Sequence, residues 1–232
     1  NVPGNAESVC TKETVAIKIT VNNFTSANTI SGAQTICETE TADLTGNSVT
    51  ADGVVTYQWQ SSSTELGTYT NVSNGGTGQN YTTVGLSDDT WFQRVAISTL
   101  SVSGNPDKEC TLVSSPVLVT VNNITTAGEI GTAQTICEGV TPSGLTSTSP
   151  ASGDGTITYV WEISTTSATT GFSDISPEVS TLNYSPPSGL VVDTWYRRRA
   201  VSTFTVPGNS ESVCTKVTPA IKITVNNLTA GS

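Results

Sequence analysis

Five cysteines, 19 carboxylates and nine cations carry whatever chemistry this 232-residue chain can do, because it contains no histidine. Histidine is the commonest general base and metal ligand, so its absence argues against serine–histidine triads, proton relays and the usual zinc sites. The cysteines, Cys10, Cys37, Cys110, Cys137 and Cys214, form no Cys-x-x-Cys pair, which disfavours zinc and redox motifs. Among the carboxylates, Asp89 and Asp193 each precede a Thr-Trp pair, where an aspartate accepts backbone amides at a turn. A glycosidase pair needs two acids across one cleft, and the chain offers only isolated ones. Joint calcium would need several oxygen ligands. The stretches 23–29 and 123–129 supply one glutamate between them, so no metal or other cofactor is expected.

The cations read the same way. Arg197-Arg198-Arg199 lies in a strand-like run, so its side chains alternate between faces. Of these only Arg198 has a counterpart earlier in the chain, Arg94. That arginine is expected to lie over an aromatic ring, Trp59 or Trp161, or to pair with a carboxylate. A formal charge of −10 with nine scattered cations disfavours nucleic acid, whose phosphates must be neutralised. No apolar run reaches the 18 residues of a membrane-spanning helix. The glycine-rich stretch 74–80 has no lysine and precedes no helix, so it is a loop and not a phosphate cradle. No catalytic residue emerges, and the chain is not expected to be an enzyme.

What positions these residues is a repeat. Ala33-Gln34-Thr35-Ile36-Cys37-Glu38 recurs as Ala133-Gln134-Thr135-Ile136-Cys137-Glu138, and Asp89-Thr90-Trp91-Phe92 recurs as Asp193-Thr194-Trp195-Tyr196. Val-Asn-Asn closes three units, at 21–23, 121–123 and 225–227. Residues 1–23 match 205–227 at 19 of 23 positions. The expected division is therefore 1–23, the closing strand segment of a preceding repeat; 24–123 and 124–227, two full repeats; and 228–232, a connector to a following one. The chain reads as a window on a longer array, with connectors of roughly 6–10 residues.

Each repeat reads as short strands. Ile17, Ile19 and Val21, then Val117, Val119 and Val121, then Ile221, Ile223 and Val225 alternate with other residues at a period of two. Runs of Thr, Val, Ile and aromatics are separated by Gly, Asn, Ser, Asp and Pro clusters, and no 3.6-residue period is sustained. About seven short strands per hundred residues indicate an all-β antiparallel sandwich of immunoglobulin-like type. Tyr57, Trp59 and Phe92 are expected in the first core, and Tyr159, Trp161 and Tyr196 in the second. Trp91 and Trp195, their neighbours in the alternation, would face outward as candidate ligand-facing residues.

Repeat equivalence pairs Cys37 with Cys110 and Cys137 with Cys214, one disulfide per sandwich, and leaves Cys10 without a partner in the chain. Such disulfides imply an oxidising compartment. Tyr159-x-Trp161, Phe172, Tyr184-x-Pro186, Thr194-Trp195-Tyr196-Arg197-Arg198 and the final Ile-Lys-Ile-Thr-Val strand resemble the tandem immunoglobulin-like repeats of giant Bacteroidota cell-surface proteins, the gliding-motility and adhesion class exported by type IX secretion. The resemblance implies an extracellular, cell-surface filament or adhesin stalk with neighbouring repeats as partners. Other copies of the filament or surface polysaccharide are further candidate partners. A repeated glycan-binding module and an accessory domain of a secreted enzyme are the alternative readings.

Overall fold

Alternating residues become strands where one face finds a core, and both repeats do so in the computed structural model, which describes residues 11–227. The first repeat comprises β1 (Ile30–Ser31), β2 (Gln34–Cys37), β3 (Asp43–Gly46), β4 (Val54–Ser62), β5 (Thr70–Asn71), β6 (Tyr81–Thr82), β7 (Thr90–Leu100), β8 (Lys108–Val113) and β9 (Val117–Asn122). The second comprises β10 (Glu129–Ile130), β11 (Gln134–Cys137), β12 (Ser147–Ser149), β13 (Thr156–Ser164), β14 (Ser173–Asp174), β15 (Thr194–Phe204), β16 (Ser212–Val217) and β17 (Ile221–Asn226). No helix is present among the described residues.

The larger sheet of the first repeat runs β2-β9-β7-β4-β5, and that of the second β11-β17-β15-β13-β14. The opening strands β2 and β11 pair in parallel with the closing strands β9 and β17, while the other ladders are antiparallel. A small sheet, β1-β3-β6, covers the first core. In the second repeat its counterpart is the β10-β12 pair together with the Leu145–Tyr184 bridge.

The long strands β7 and β15 make the fold asymmetric. β7 pairs with β9 over its first three residues and with β8 over its last six, so β7 and β8 run on as a hairpin past the end of β9. The switch occurs at Ser114-Ser115-Pro116, where proline has no amide proton for the ladder. Ser114 fills the gap: its hydroxyl accepts the Arg94 amide at 3.0 Å and its own amide donates to the Arg94 carbonyl. Thr218 does the same for Arg198.

Trp59, Phe92, Leu44 and Val119 fill the first core, and Trp161, Tyr196, Leu145 and Ile223 the second. Each core holds a tilted aromatic row, Trp59–Tyr81–Phe92 and Trp161–Tyr184–Tyr196, with centroids 5.5–6.0 Å apart. The buried indoles donate to the Gly78 and Thr181 carbonyls. Tyr57 and Tyr159 are only half-buried and serve another purpose, described below.

The cysteine pairing departs from the expectation. The disulfide is Cys37–Cys214, which joins the two repeats, and Cys110 and Cys137 are free. Register gives the reason. Cys37 lies opposite Asn122 at the end of β9, whereas Cys110 lies opposite Ser98 far along β7. The two sit at opposite ends of one sandwich, about 35 Å apart at ~3.3 Å per residue, and a disulfide needs Cα atoms within about 7 Å. The β15–β16 hairpin of the second repeat overhangs the first and brings Cys214 to a Cα separation of 5.6 Å from Cys37. Cys10 lies outside the described residues.

Candidate functional site, a stapled joint

Residues that were expected to form a connector are absorbed into the second repeat. Asn122, at the end of β9, is fully buried in the next repeat's hairpin. Its amide donates to the carbonyls of Ser202 (3.1 Å) and Ser212 (3.3 Å), and its oxygen accepts the Ser202 hydroxyl at 2.8 Å. Asn123 follows at once. Its amide donates to an Asp154 carboxylate oxygen, and the Asp154 amide donates back to its carbonyl, both at 3.0 Å. Thr126 then bridges to Ser152. No free linker remains, so the 6–10-residue connector is corrected: β9 ends directly in bonds to the repeat that follows.

The same clasp stands at the start of the first repeat. Asn22 donates to the Ser98 and Lys108 carbonyls and accepts from the Ser98 hydroxyl, and Asn23 exchanges bonds with Asp52. The recurring Val-Asn-Asn was legible as a boundary. Its role as a plug was not, although recurrence at all three closures was the available signal. Replacing Asn122 with alanine leaves the Ser202 and Ser212 groups unpaired at the joint. A stability loss of about 1–3 kcal/mol is expected in urea unfolding, and no loss would refute the clasp.

At the joint, a cleft of about 790 Å³ is lined by Asp88, Asp89, Asn123, Asp154 and Phe204 among others. Two of these carboxylates already hold backbone. Asp89 accepts the Val121 amide at 2.8 Å, extending the β9 ladder one rung beyond the start of β7, and Asp154 holds Asn123. Asp193 repeats the first device on Val225 at 2.9 Å and pairs with Lys222 at 2.6 Å. The Lys222 bond, followed by the Val225 amide, holds the Asp193 carboxyl below its ordinary value. No group of three or more His, Cys, Asp or Glu among the described residues is placed to hold a metal ion.

The recurring arginine is fully buried in both repeats. Arg94 and Arg198 lie 4.3 Å over the rings of Tyr57 and Tyr159, and Arg94 is 5.8 Å from Trp59, so tyrosine and not tryptophan is the main platform. No carboxylate among the described residues pairs with either. Arg94 donates to the Asn28 side-chain oxygen through two nitrogens (3.0 and 2.7 Å) and to the Gln79 and Asn47 carbonyls. Burial lowers the pKa of both guanidiniums. The Cβ of an alanine at 46 would stand 2.1 Å from the Arg94 guanidinium. Gly46→Ala is therefore expected to displace it and lower the melting temperature.

On the outer face of the second sheet, Glu162 bridges Arg197 and Arg199, Arg199 reaches Asp174, and Arg197 stacks on Phe172. The first repeat has amides in this register: Gln93 donates to Gln60, and Gln60 to Asn71. Trp91 and Trp195 also lie on this face and are half-buried. The Lys222 ammonium sits 5.1 Å over the Trp195 ring while bound to Asp193, so that ring is capped.

Tyr196 carries a buried hydroxyl without a partner, and burial first, then Tyr184, push its pKa up to about 12. Phenylalanine stands at the equivalent position 92. Tyr196→Phe is expected to keep or raise the melting temperature. A raised folded pKa favours folding below the unfolded value near 10, so this contribution is lost between about pH 10 and 12. The variant should flatten that alkaline decline.

Two sandwiches with parallel opening and closing strands, joined without a linker and crossed by one disulfide, define a tandem immunoglobulin-like protein. A family model described as a domain of unknown function (DUF8696) matches residues 26–123 and again 126–227, and the chain belongs to that family. No curated protein sequence matches it. Among solved structures it is similar to a marsupial T cell receptor, at 12% identity and a TM-score of 0.35, covering 88% of this chain and 73% of that one. It is also similar to the FN1–FN3 domains of chicken CNTN1, at 11% identity and a TM-score of 0.30, covering 87% and 66%.

Proposed function

We propose that the chain is a structural stretch of an extracellular filament or adhesin stalk, of the Bacteroidota cell-surface class its sequence resembles. It gives reach and semi-rigid presentation, without catalysis. The linker-free, disulfide-crossed joint carries this reading, because it removes the hinge on which successive sandwiches would otherwise swing. The disulfide supports an oxidising exterior. A hydroxyl-rich surface with a charge of −10 favours hydration over self-association.

Residues 11–22 support the repeat division. They have no strand partner among the described residues, and Ile17 and Ile19 are 91% and 85% exposed, although their equivalents Ile221 and Ile223 lie in β17. They read as the closing strand of a preceding sandwich, with Asn22 already seated in the joint. Neighbouring repeats are then the first partners.

Two measurements test the proposal. Small-angle scattering of the oxidised chain should fit one extended arrangement, and a broad hinge ensemble would overturn it. Antibody to the chain should label intact source cells. Labelling only after permeabilisation would remove the extracellular assignment.

A further inference from the structure

Cys37 and Cys214 are 177 residues apart in sequence. Between them lie nearly all of both sandwiches, including the cores around Trp59 and Trp161. We propose that the disulfide is a load bypass: tension applied to the ends of the chain passes across the sulfur bridge and leaves most of both cores out of the force path, Ile36 and Ile223 being the buried core residues that stay on it. Only 56 of the 232 residues, 1–37 and 214–232, remain on the direct covalent route.

The consequence is one of length. An unfolded chain spans at most ~3.3–3.6 Å per residue, so the unbridged chain could reach roughly 800 Å. The bridged chain stops near ~190 Å by the same measure. A weak sandwich could then open while lengthening the shaft only by its strands outside the bridge. A staple within each repeat would leave residues 110–137 on the route as well, because the route between staples would still cross the joint.

The free thiols occupy the two half-positions of the same staple. Cys110 lies opposite Ser98 in β8 as Cys214 lies opposite Ser202 in β16, and Asn22 docks at Ser98 as Asn122 does at Ser202. Cys137 ends β11 opposite Asn226 as Cys37 ends β2 opposite Asn122. Beside further repeats, Cys110 would bond the opening-strand cysteine of the repeat before and Cys137 the hairpin cysteine of the repeat after. In each case two thiols lose two protons and two electrons to a disulfide oxidant such as oxidised glutathione, which becomes two reduced thiols. The covalent route would then advance two repeats per staple, with the Cys110–Cys137 interval as slack.

This deepens the proposed stalk and rests on it for its purpose, but the load path can be measured whether or not the chain is a stalk. The 232-residue chain is held by its two ends in optical tweezers, oxidised and then with reductant. The oxidised chain should release no more than about 200 Å, and reduction or Cys37→Ser should add roughly 600 Å, the contour of the bridged segment. Cys110→Ser and Cys137→Ser should leave the oxidised trace unchanged. Release of the full contour by the oxidised wild-type chain would overturn the bypass. So would a longer oxidised trace in either control, which pairing inside each repeat requires. A bypass that holds while intact cells stay unlabelled would refute the stalk and keep the device.

Discussion

Arg94→Ala is expected to destabilise the first repeat by about 3–5 kcal/mol. The substitution empties a fully buried volume beneath Tyr57 and strands the groups that surround the guanidinium. Asn28 loses two donors, and the Gln79 and Asn47 carbonyls lose one each. Replacing a buried charge with an apolar side chain can be neutral or stabilising when the charge is removed with its partners. Here the partners stay, so Arg94→Met, which refills the space, should still cost about 2 kcal/mol through orphaned acceptors.

The second repeat supplies an internal control. Gly128 stands where the first repeat has Asn28, and the buried Arg198 Nε has no partner. Among the described residues the Arg198 guanidinium donates only to the Leu182 and Ser149 carbonyls. Arg198→Ala should therefore cost less than Arg94→Ala. Urea unfolding of both variants checks this, and equal losses or the reverse order would refute the assigned network.

Loss of the Cys37–Cys214 bridge has the other large effect. Closing a loop of 177 residues is worth about 5 kcal/mol in the chain-entropy model. The bridge belongs to neither sandwich alone, so its removal should change cooperativity as well as stability. The oxidised chain should melt in one transition, and the reduced chain or Cys214→Ser in two, at lower temperature. Calorimetry decides, and a single unshifted transition after complete reduction would refute the coupling. Cys110→Ser, which breaks no bond, should leave the oxidised melt in place.

Much of the fold was legible because its cues are local or self-similar. Period-two alternation marked Ile221, Ile223 and Val225 as a strand, and the single residue between Tyr57 and Trp59 put both on one face. The same alternation sends Arg198 inward to Tyr159 and Arg197 and Arg199 outward to Glu162. Self-comparison divided the chain into repeats because its motifs recur at near-constant spacing.

Some features of the site were not legible. Tyr81 and Tyr184, core members between the tryptophans and Phe92 or Tyr196, sit in a two-residue strand and a single bridge, too short to show a period. The platform under Arg94 is Tyr57 because the tyrosine ring lies at the right depth, which residue type alone does not specify.

By itself the sequence determined the strands, their inward faces, the repeat length and the positions of all five cysteines. The tertiary structure decided which thiols meet. Repeat equivalence is the same whether an opening-strand cysteine bonds the hairpin of its own unit or of the next, so self-similarity cannot choose between them. The choice is made by distance: β7 and β15 are long enough to carry their hairpins past the end of the sandwich, which separates Cys37 from Cys110 and delivers Cys214 instead.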